Sequence, residues 1–197
     1  MPWLDDVEAV LWAGIPGQEG GHAVAAALTN EIEPAGRLVT SFPVEDGAAP
    51  AWGVTPVDGV LSYDEGTFIG YRGHAAGLAK EPAFWFGHGL GYGEWTYGPA
   101  SVSDRTVSLE ITNTSALESR EVVQVYYDPL REGQPIRLVG WQAVRVGAGE
   151  TTPVRVECDE RMWRTWEDGT SSWRVLSGGA LMVARGLGDV RQRIDIG

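Results

Sequence analysis

The feature that most constrains the fold is an almost uninterrupted apolar run at residues 7–13 (VEAVLWA), which leads into a loop rich in glycine and proline. Such a run is typical of a strand that is covered on both faces of a sheet. The alanine-rich residues 22–28 then favour a helix, and residues 38–42 (LVTSF) form the next predicted strand. This order predicts one βαβ unit with parallel strands and a right-handed crossover.

One βαβ unit does not form a stable domain by itself. Parallel strands with two apolar faces need helices on both sides and further strands beside them. The sequence supplies one such helix, and no second βαβ pattern follows. We therefore expect residues 1–43 to be the incomplete end of an α/β sandwich domain whose beginning is absent.

Residues 44–99 carry many prolines and glycines, but also many large aromatic side chains. A disordered linker is poor in aromatic residues. We therefore expect an ordered strap that lies across other structure, with glycines such as Gly87 and Gly89 allowing sharp bends. Long ordered connections of this kind usually lie near a functional site or a domain interface.

From residue 100 to residue 197 the pattern changes to alternation with period two. Val107, Leu109 and Ile111 alternate with polar residues, and further short strands are predicted at 123–127, 138–146, 152–158, 172–176 and 181–184. Short strands separated by regular turn signals predict an antiparallel β-sandwich of the immunoglobulin-like or fibronectin type III-like kind. The expected fold class is therefore mixed α+β.

Charge and cysteine content exclude several functions. A net charge of −12 argues against nucleic acid as a partner, because phosphates would be repelled. No apolar run is long enough for a membrane span, and the first residues lack a signal-peptide pattern, so we expect a cytoplasmic protein with no membrane partner. The single cysteine, Cys158, excludes an internal disulfide and is expected to be a half-buried strand thiol rather than a nucleophile.

The loop before the predicted helix holds the candidate substrate-binding residues, Gln18, Glu19 and His22. Ligands are commonly met where a strand ends and a helix begins, because free N–H groups and the helix dipole point there. Glu19 is a ligand of sugar hydroxyls, an acid or, by the preferred interpretation, a cap for the helix N–H groups. Gln18 and His22 can add hydroxyl contacts, with His22 in the first helical turn.

Other polar residues have structural interpretations that we prefer. His88, between two glycines, is expected to bond a carbonyl rather than to act as a base. Arg72 is assigned either to an ion pair at the domain seam or to the surface. The clusters Asp5, Asp6 and Glu8, and Asp64 and Glu65, lack the ligand spacing of a calcium loop, so we expect solvated acidic faces and no metal site.

Three tryptophans in the predicted sandwich, Trp163, Trp166 and Trp173, allow two interpretations. Exposed indoles would form a platform on which sugar rings stack. Indoles packed into the sandwich core, or onto the α/β part, are the preferred expectation, because large aromatic side chains are generally buried.

Four motifs in matching order carry a resemblance to a known family: PGQEGG at 16–21, EPAGRLVTSFP at 33–43, EGTFIGYR at 65–72 and FWFGHGLGY at 84–92. They resemble the carboxyl-terminal half of glycoside hydrolase family 3, which includes β-glucosidases and β-xylosidases. Residues 111–127 (ITNTSALESREVVQVYY) and 138–151 (LVGWQAVRVGAGET) are similar to its fibronectin type III-like domain. The resemblance covers almost the whole chain.

The resemblance implies retaining hydrolysis of terminal, non-reducing β-D-glucosyl or xylosyl residues. The family uses an aspartate nucleophile on an amino-terminal barrel and a glutamate acid/base ahead of the segment matched here, flanking the bond at about 5–5.5 Å from one another. Neither motif is found in this sequence. We therefore assign no catalytic residue and no cofactor, and we expect the chain to be inactive alone.

Two alternatives stay open. The chain is a non-catalytic carbohydrate-binding or scaffold module, or it completes an active site with a separate barrel-bearing chain. An uncovered apolar face on the α/β part would support such a partner, or a homo-oligomer.

Overall fold

The computed structural model describes residues 1–197. It has two helices, α1 (Gly20–Leu28) and α2 (Tyr71–Ala75), and single turns of 3₁₀ helix at Leu4–Asp6 and Glu160–Trp163. Ten strands follow, namely β1 (Trp95–Tyr97), β2 (Ser101–Ser103), β3 (Thr106–Asn113), β4 (Ser119–Asp128), β5 (Arg137–Val146), β6 (Thr151–Glu157), β7 (Arg164–Glu167), β8 (Ser172–Val175), β9 (Gly179–Gly186) and β10 (Asp189–Ile196). All strand pairs are antiparallel, which confirms the mixed α+β class with a fibronectin type III-like sandwich. Neither helix is long and apolar enough to cross a lipid bilayer.

The sandwich consists of two facing sheets. In the first, β3 pairs with β1 and β2 along one edge and with β6 along the other; the second has the order β10-β9-β4-β5. Between them lies a core of 16 buried residues, in which the Trp163 indole stacks on the Tyr127 ring with centroids 4.8 Å apart. The core also takes in Cys158, and burial raises the pKa of its thiol to about 11.

Part of the strap (residues 44–99) packs on the outer face of the second sheet, whereas its residues 95–97 form β1 of the first sheet. The rings of Tyr71 and Phe86 stack at 4.5 Å, and both meet the ring of Tyr126 edge-on. The Tyr71 hydroxyl accepts a hydrogen bond from the Leu138 N–H at 3.1 Å. The central strands β4 and β9 are therefore covered on both faces, and most of their residues are buried.

One glycine sets how closely the strap approaches this sheet. Gly87 has φ 79°, and its carbonyl accepts a hydrogen bond from the Gln124 side-chain amide at 2.9 Å. A Cβ atom at this position would overlap both the Gln124 amide and the Tyr126 hydroxyl. Only glycine meets both the positive φ and the close contact.

The prediction of two strands in a βαβ unit is wrong, although the predicted helix is present. Residues 7–13 form no strand, and of residues 38–42 only Phe42 pairs, in an isolated antiparallel bridge with Phe84. Residues 38–42 bond instead to the strap, where Leu38 bonds to Gly87 and His88 and Phe42 exchanges two backbone hydrogen bonds with Phe84. Residues 7–13 make no backbone hydrogen bond within residues 1–197, because a parallel strand is held only by neighbouring strands of its own sheet.

The preferred expectation for the tryptophans is right for Trp163 and wrong for the other two. Trp163 is buried, whereas Trp166 and Trp173 are 48% and 63% exposed. They are cross-strand partners on the hairpin β7–β8, with rings edge-to-face at 5.5 Å. This hairpin pairs only with itself, so no second layer is available to cover its indoles.

Candidate functional site

The three predicted substrate-binding residues lie close together at the start of α1, in solvent. Glu19 Oε2 is 2.7 Å from His22 Nδ1, and both side chains are largely exposed, as is Gln18. They line neither of the two clefts described below. This loop therefore offers polar groups to a partner surface but encloses no space for a sugar by itself.

The expected capping role of Glu19 is wrong. Its side chain makes no capping hydrogen bond, and its backbone is left-handed at φ 66°. The Glu19 carbonyl accepts from the Ala23 N–H at 3.1 Å, while the carboxylate meets His22 one turn further along. The carboxylate is consequently free of the helix N–H groups.

The carbonyl bond expected for the His88 ring is absent, and another histidine makes such a bond. The His88 ring makes no hydrogen bond; it lies 5.2 Å from the Phe84 ring, and its backbone carbonyl accepts from the Leu38 N–H. The carbonyl-bonded histidine is instead His74, which is buried, with Nδ1 2.7 Å from the Lys80 oxygen. Arg72 forms no ion pair, and its guanidinium lies over the Tyr71 ring at 5.8 Å.

The strongest electrostatic feature is a buried ion cluster where the amino-terminal segment meets the sandwich. Glu121 is fully buried; its Oε1 lies 2.5 Å from Arg37 Nη2, and its Oε2 lies 2.8 Å from Arg185 Nε. Arg37 comes from the segment before the strap, Glu121 from β4 and Arg185 from β9. A buried carboxylate is tolerated only when it is paired in this way.

The buried side-chain atoms that lack a hydrogen-bond partner also gather at this cluster: Arg37 Nε, Tyr97 Oη, Glu121 Oε2 and Arg185 Nε. Burial, and secondly the charge of Glu121, raises the pKa of Tyr97 well above its usual range. Arg185 Nε and Glu121 Oε2 are close enough for an ion pair but poorly aligned for a hydrogen bond. The cluster is thus held by charge more than by matched hydrogen bonds.

A second carboxylate, Glu33, lies at the same seam, the boundary where the amino-terminal segment contacts the sandwich. It accepts hydrogen bonds from the backbone N–H groups of Tyr92, Gly93 and Arg120, and from the Ser119 hydroxyl. Glu33 also lines a cleft of about 510 Å³ between the end of α1 and the β3–β4 turn. Four donors on one carboxylate join three parts of the chain.

Sequence reasoning missed this seam, yet a signal was available. Glu121 stands two residues before Val123, so the alternation of the predicted strand 123–127, if extended, places it on the apolar face. A carboxylate on such a face requires a buried cation. The pattern does not identify the cation that pairs with Glu121, because Arg37 is 84 residues away in sequence.

The structure contains no group of three or more His, Cys, Asp or Glu side chains suited to hold a metal ion. The acidic residues near the amino terminus, Asp5, Asp6 and Glu8, are exposed. Glu33 and Glu121 join the amino-terminal segment to the sandwich, whereas the buried Arg137 donates to backbone carbonyls within the sandwich. The geometry is that of a bracing module, a β-sandwich that holds a strap and the end of a second domain.

Comparison with known proteins identifies that module. Residues 1–92 match the model of the glycosyl hydrolase family 3 C-terminal domain, and residues 121–184 match the fibronectin type III-like domain. The chain belongs to glycoside hydrolase family 3, of which it is a carboxyl-terminal portion.

Individual relatives agree with this assignment. The chain is 33% identical to beta-glucosidase B of Emericella nidulans over 100% of its own length and 26% of the relative. It is 33% identical to thermostable beta-glucosidase B of Acetivibrio thermocellus over 93% of its length and 26% of the relative. It thus spans about a quarter of the curated relatives that it matches.

A solved structure extends the match to three dimensions. DesR, a beta-glucosidase from Streptomyces venezuelae in complex with D-glucose, superposes with a TM-score of 0.83 at 30% identity. The superposition covers 92% of this chain and 25% of DesR.

Proposed function

We propose that this chain is the bracing portion of a retaining β-glycosidase that removes terminal, non-reducing β-D-glucosyl or xylosyl residues. The nucleophile and the acid/base come from a catalytic portion that this chain docks against, and the chain alone is inactive. Gln18, Glu19 and His22 face that portion and contact sugar hydroxyls beside it. The cytoplasmic location is proposed from the sequence alone.

The observation that carries this proposal is the bare apolar surface of the amino-terminal segment. Ile15 is fully exposed, Val39 is 88% exposed and Trp12 is 65% exposed. Val10 and Leu11 are also exposed. Contiguous exposed apolar side chains mark interaction surfaces.

The backbone beneath these side chains supports the same surface. Residues 7–13 have no strand partner within the chain, so their N–H and C=O groups are available to a neighbouring strand. A strand from a partner can add to such a segment, with backbone hydrogen bonds giving affinity and side-chain pockets giving specificity. The proposed occupant is therefore a β-strand of the catalytic portion.

Activity measurements test the proposal directly. The purified chain is expected to give no turnover of an aryl β-glucoside, and co-expression with a barrel-bearing family 3 chain is expected to give a stable complex and activity. Turnover by the purified chain alone would contradict the proposal.

A surface variant tests the docking face. Trp12→Ser is expected to weaken the complex at least tenfold in a pull-down titration. Leu130→Ser, at a side chain that is 63% exposed on the sandwich, is the matched control and is expected to leave binding unchanged. If light scattering shows that the chain alone forms a dimer sensitive to Trp12→Ser, the occupant is a second copy and not a catalytic portion.

A second function, carbohydrate binding without catalysis, is favoured by the exposed indoles of Trp166 and Trp173. Their edge-to-face pair presents apolar ring faces of the kind on which pyranoses stack. The double variant Trp166→Ala/Trp173→Ala is expected to abolish binding to insoluble β-glucan. Trp141→Ala, at an equally exposed indole on β5, is the control; no binding by the unmodified chain contradicts this function.

A further inference from the structure

A second cleft contains charged side chains, whereas the docking face is apolar. It has a volume of about 390 Å³ and lies between residues 83–90 of the strap and the β9–β10 turn. This volume is within the range of small-molecule sites. Aromatic side chains form its wall, and Arg185 and Asp189 are its charged residues.

Two glycines of the turn shape the cleft. A Cβ atom at Gly188 would overlap the indole of Trp85, and one at Gly186 would overlap the backbone of Gly87 and His88. The turn therefore packs directly against the strap at these two points. Their packing fixes the Trp85 ring and the His88 backbone relative to Arg185.

The fold uses only some of the N–H donors of the Arg185 guanidinium. Its Nε faces Glu121, but neither terminal nitrogen donates a hydrogen bond within the chain. The side chain is 13% exposed, so the guanidinium is largely desolvated, and Arg185 lines the cleft. A desolvated guanidinium with free N–H groups is a strong site for a carboxylate, which it can bind with two parallel hydrogen bonds.

His88 supplies a neutral polar group to the same cleft. Burial, and then the charges of Arg37 and Arg185, lower the pKa of its imidazole, with Asp189 opposing. A neutral imidazole has one N–H donor and one acceptor nitrogen, which suits a hydroxyl group. The two arginines thus make this position electropositive, although the chain as a whole carries a net charge of −12.

Asp189 cancels this field only in part. Its carboxylate is paired with Arg191, at 2.7 Å from Nε, and it is 44% exposed. The charged groups that face the cleft are therefore the guanidinium of Arg185 and a carboxylate whose charge is partly offset by Arg191.

We propose that this cleft binds a pyranose that carries a carboxylate, such as a uronic acid. The carboxylate pairs with the terminal nitrogens of Arg185, the ring lies against Phe84 and Trp85, and a hydroxyl group meets His88. None of the residues that line this cleft belongs to the docking face, and binding here does not depend on catalysis.

Titration calorimetry of the whole chain tests this site. Sodium glucuronate is expected to bind at least tenfold more tightly than glucose, which lacks the carboxylate, and than acetate, which lacks the ring. The His88 ring resonances are expected to shift with glucuronate. No binding of glucuronate, or equal binding of glucuronate and glucose, would overturn the proposal.

Two variants place the ligand within the cleft. Arg185→Lys keeps a positive charge beside Glu121 but loses the two terminal nitrogens that donate parallel hydrogen bonds. It is expected to weaken glucuronate binding at least tenfold, in a chain that still melts cooperatively. Asp189→Asn, a surface change that spares the fold, is expected to tighten binding about threefold.

The matched control is Asp195→Asn, at a carboxylate that is 87% exposed on β10, and it is expected to have no effect. If Asp189→Asn does not tighten binding, or if Asp195→Asn tightens it equally, the ligand is not in this cleft.

Discussion

The sandwich and the amino-terminal segment differ most in how far their own residues supply a buried core and strand partners. The sandwich encloses a core of 16 buried residues. Among residues 1–40 only Ala27 is buried. Antiparallel strands find their partners across short turns, whereas parallel strands depend on neighbours that are distant in sequence. An apolar run is therefore converted into structure only where a partner strand is available.

The largest expected effect tests the joint between the two regions. Glu121→Gln leaves Arg37 and Arg185 buried without a counter-charge, so the free energy of unfolding is expected to fall by about 3–5 kcal/mol. Urea denaturation followed by fluorescence measures this loss. Glu118→Gln, which breaks an exposed pair with Arg145, is the control and is expected to cost less than about 1 kcal/mol.

A smaller loss is expected from the second carboxylate of the joint. Glu33→Gln places an amide N–H₂ group against four donors, which leaves some of them unpaired at about 1–3 kcal/mol. Amide hydrogen exchange at Tyr92, Gly93 and Arg120 measures the loss locally. Glu31→Gln, at an exposed side chain, is expected to leave these rates unchanged; equal protection in Glu33→Gln would mean that its bonds do not hold the seam.

The same substitution, isoleucine to valine, compares the effect on stability in the two regions. Ile111→Val removes a methylene group from the sandwich core and is expected to cost about 0.5–1.5 kcal/mol. Ile15→Val, at a fully exposed side chain, is expected to leave the denaturation midpoint unchanged. A loss at Ile15 equal to that at Ile111 would show that the amino-terminal segment is buried in solution.

The smallest expected effect is a change in pH dependence. Because the pKa of His88 is lowered in the folded chain, the unfolded state takes up its proton first as the pH falls below about 6.5, and stability decreases. His88→Gln is therefore expected to show a shallower loss of stability between pH 7.5 and pH 5.5. His22→Gln, at an exposed ring, serves as the control, and a slope unchanged by His88→Gln would contradict the expectation.

The sequence was sufficient for the sandwich and for the family, but not for every strand. Strands β3 to β6, β8 and β9 overlap the strands predicted from sequence, and alternation is clearest in β3 and β6. The strand β10 was missed because its exposed face carries Arg191 and Arg193, and β1 and β2 were missed because they are only three residues long.

The candidate site was only partly accessible from the sequence. The loop residues Gln18, Glu19 and His22 were found through their position before a helix, and their role in sugar binding stays a prediction. The exposure of Trp166 and Trp173, and the pairing of Arg37 with Glu121, depend on which elements stand beside one another. Local patterns carry no information on such neighbours.

The pairing of Arg37 with Glu121 bears on how such proteins are dissected. A sandwich excised at its first strand, near residue 95, would keep the carboxylate but lose the guanidinium that comes from 58 residues upstream. A fragment that begins at the first strand of the sandwich therefore loses both contacts, and one that keeps Arg37 and Glu33 has to begin before residue 33.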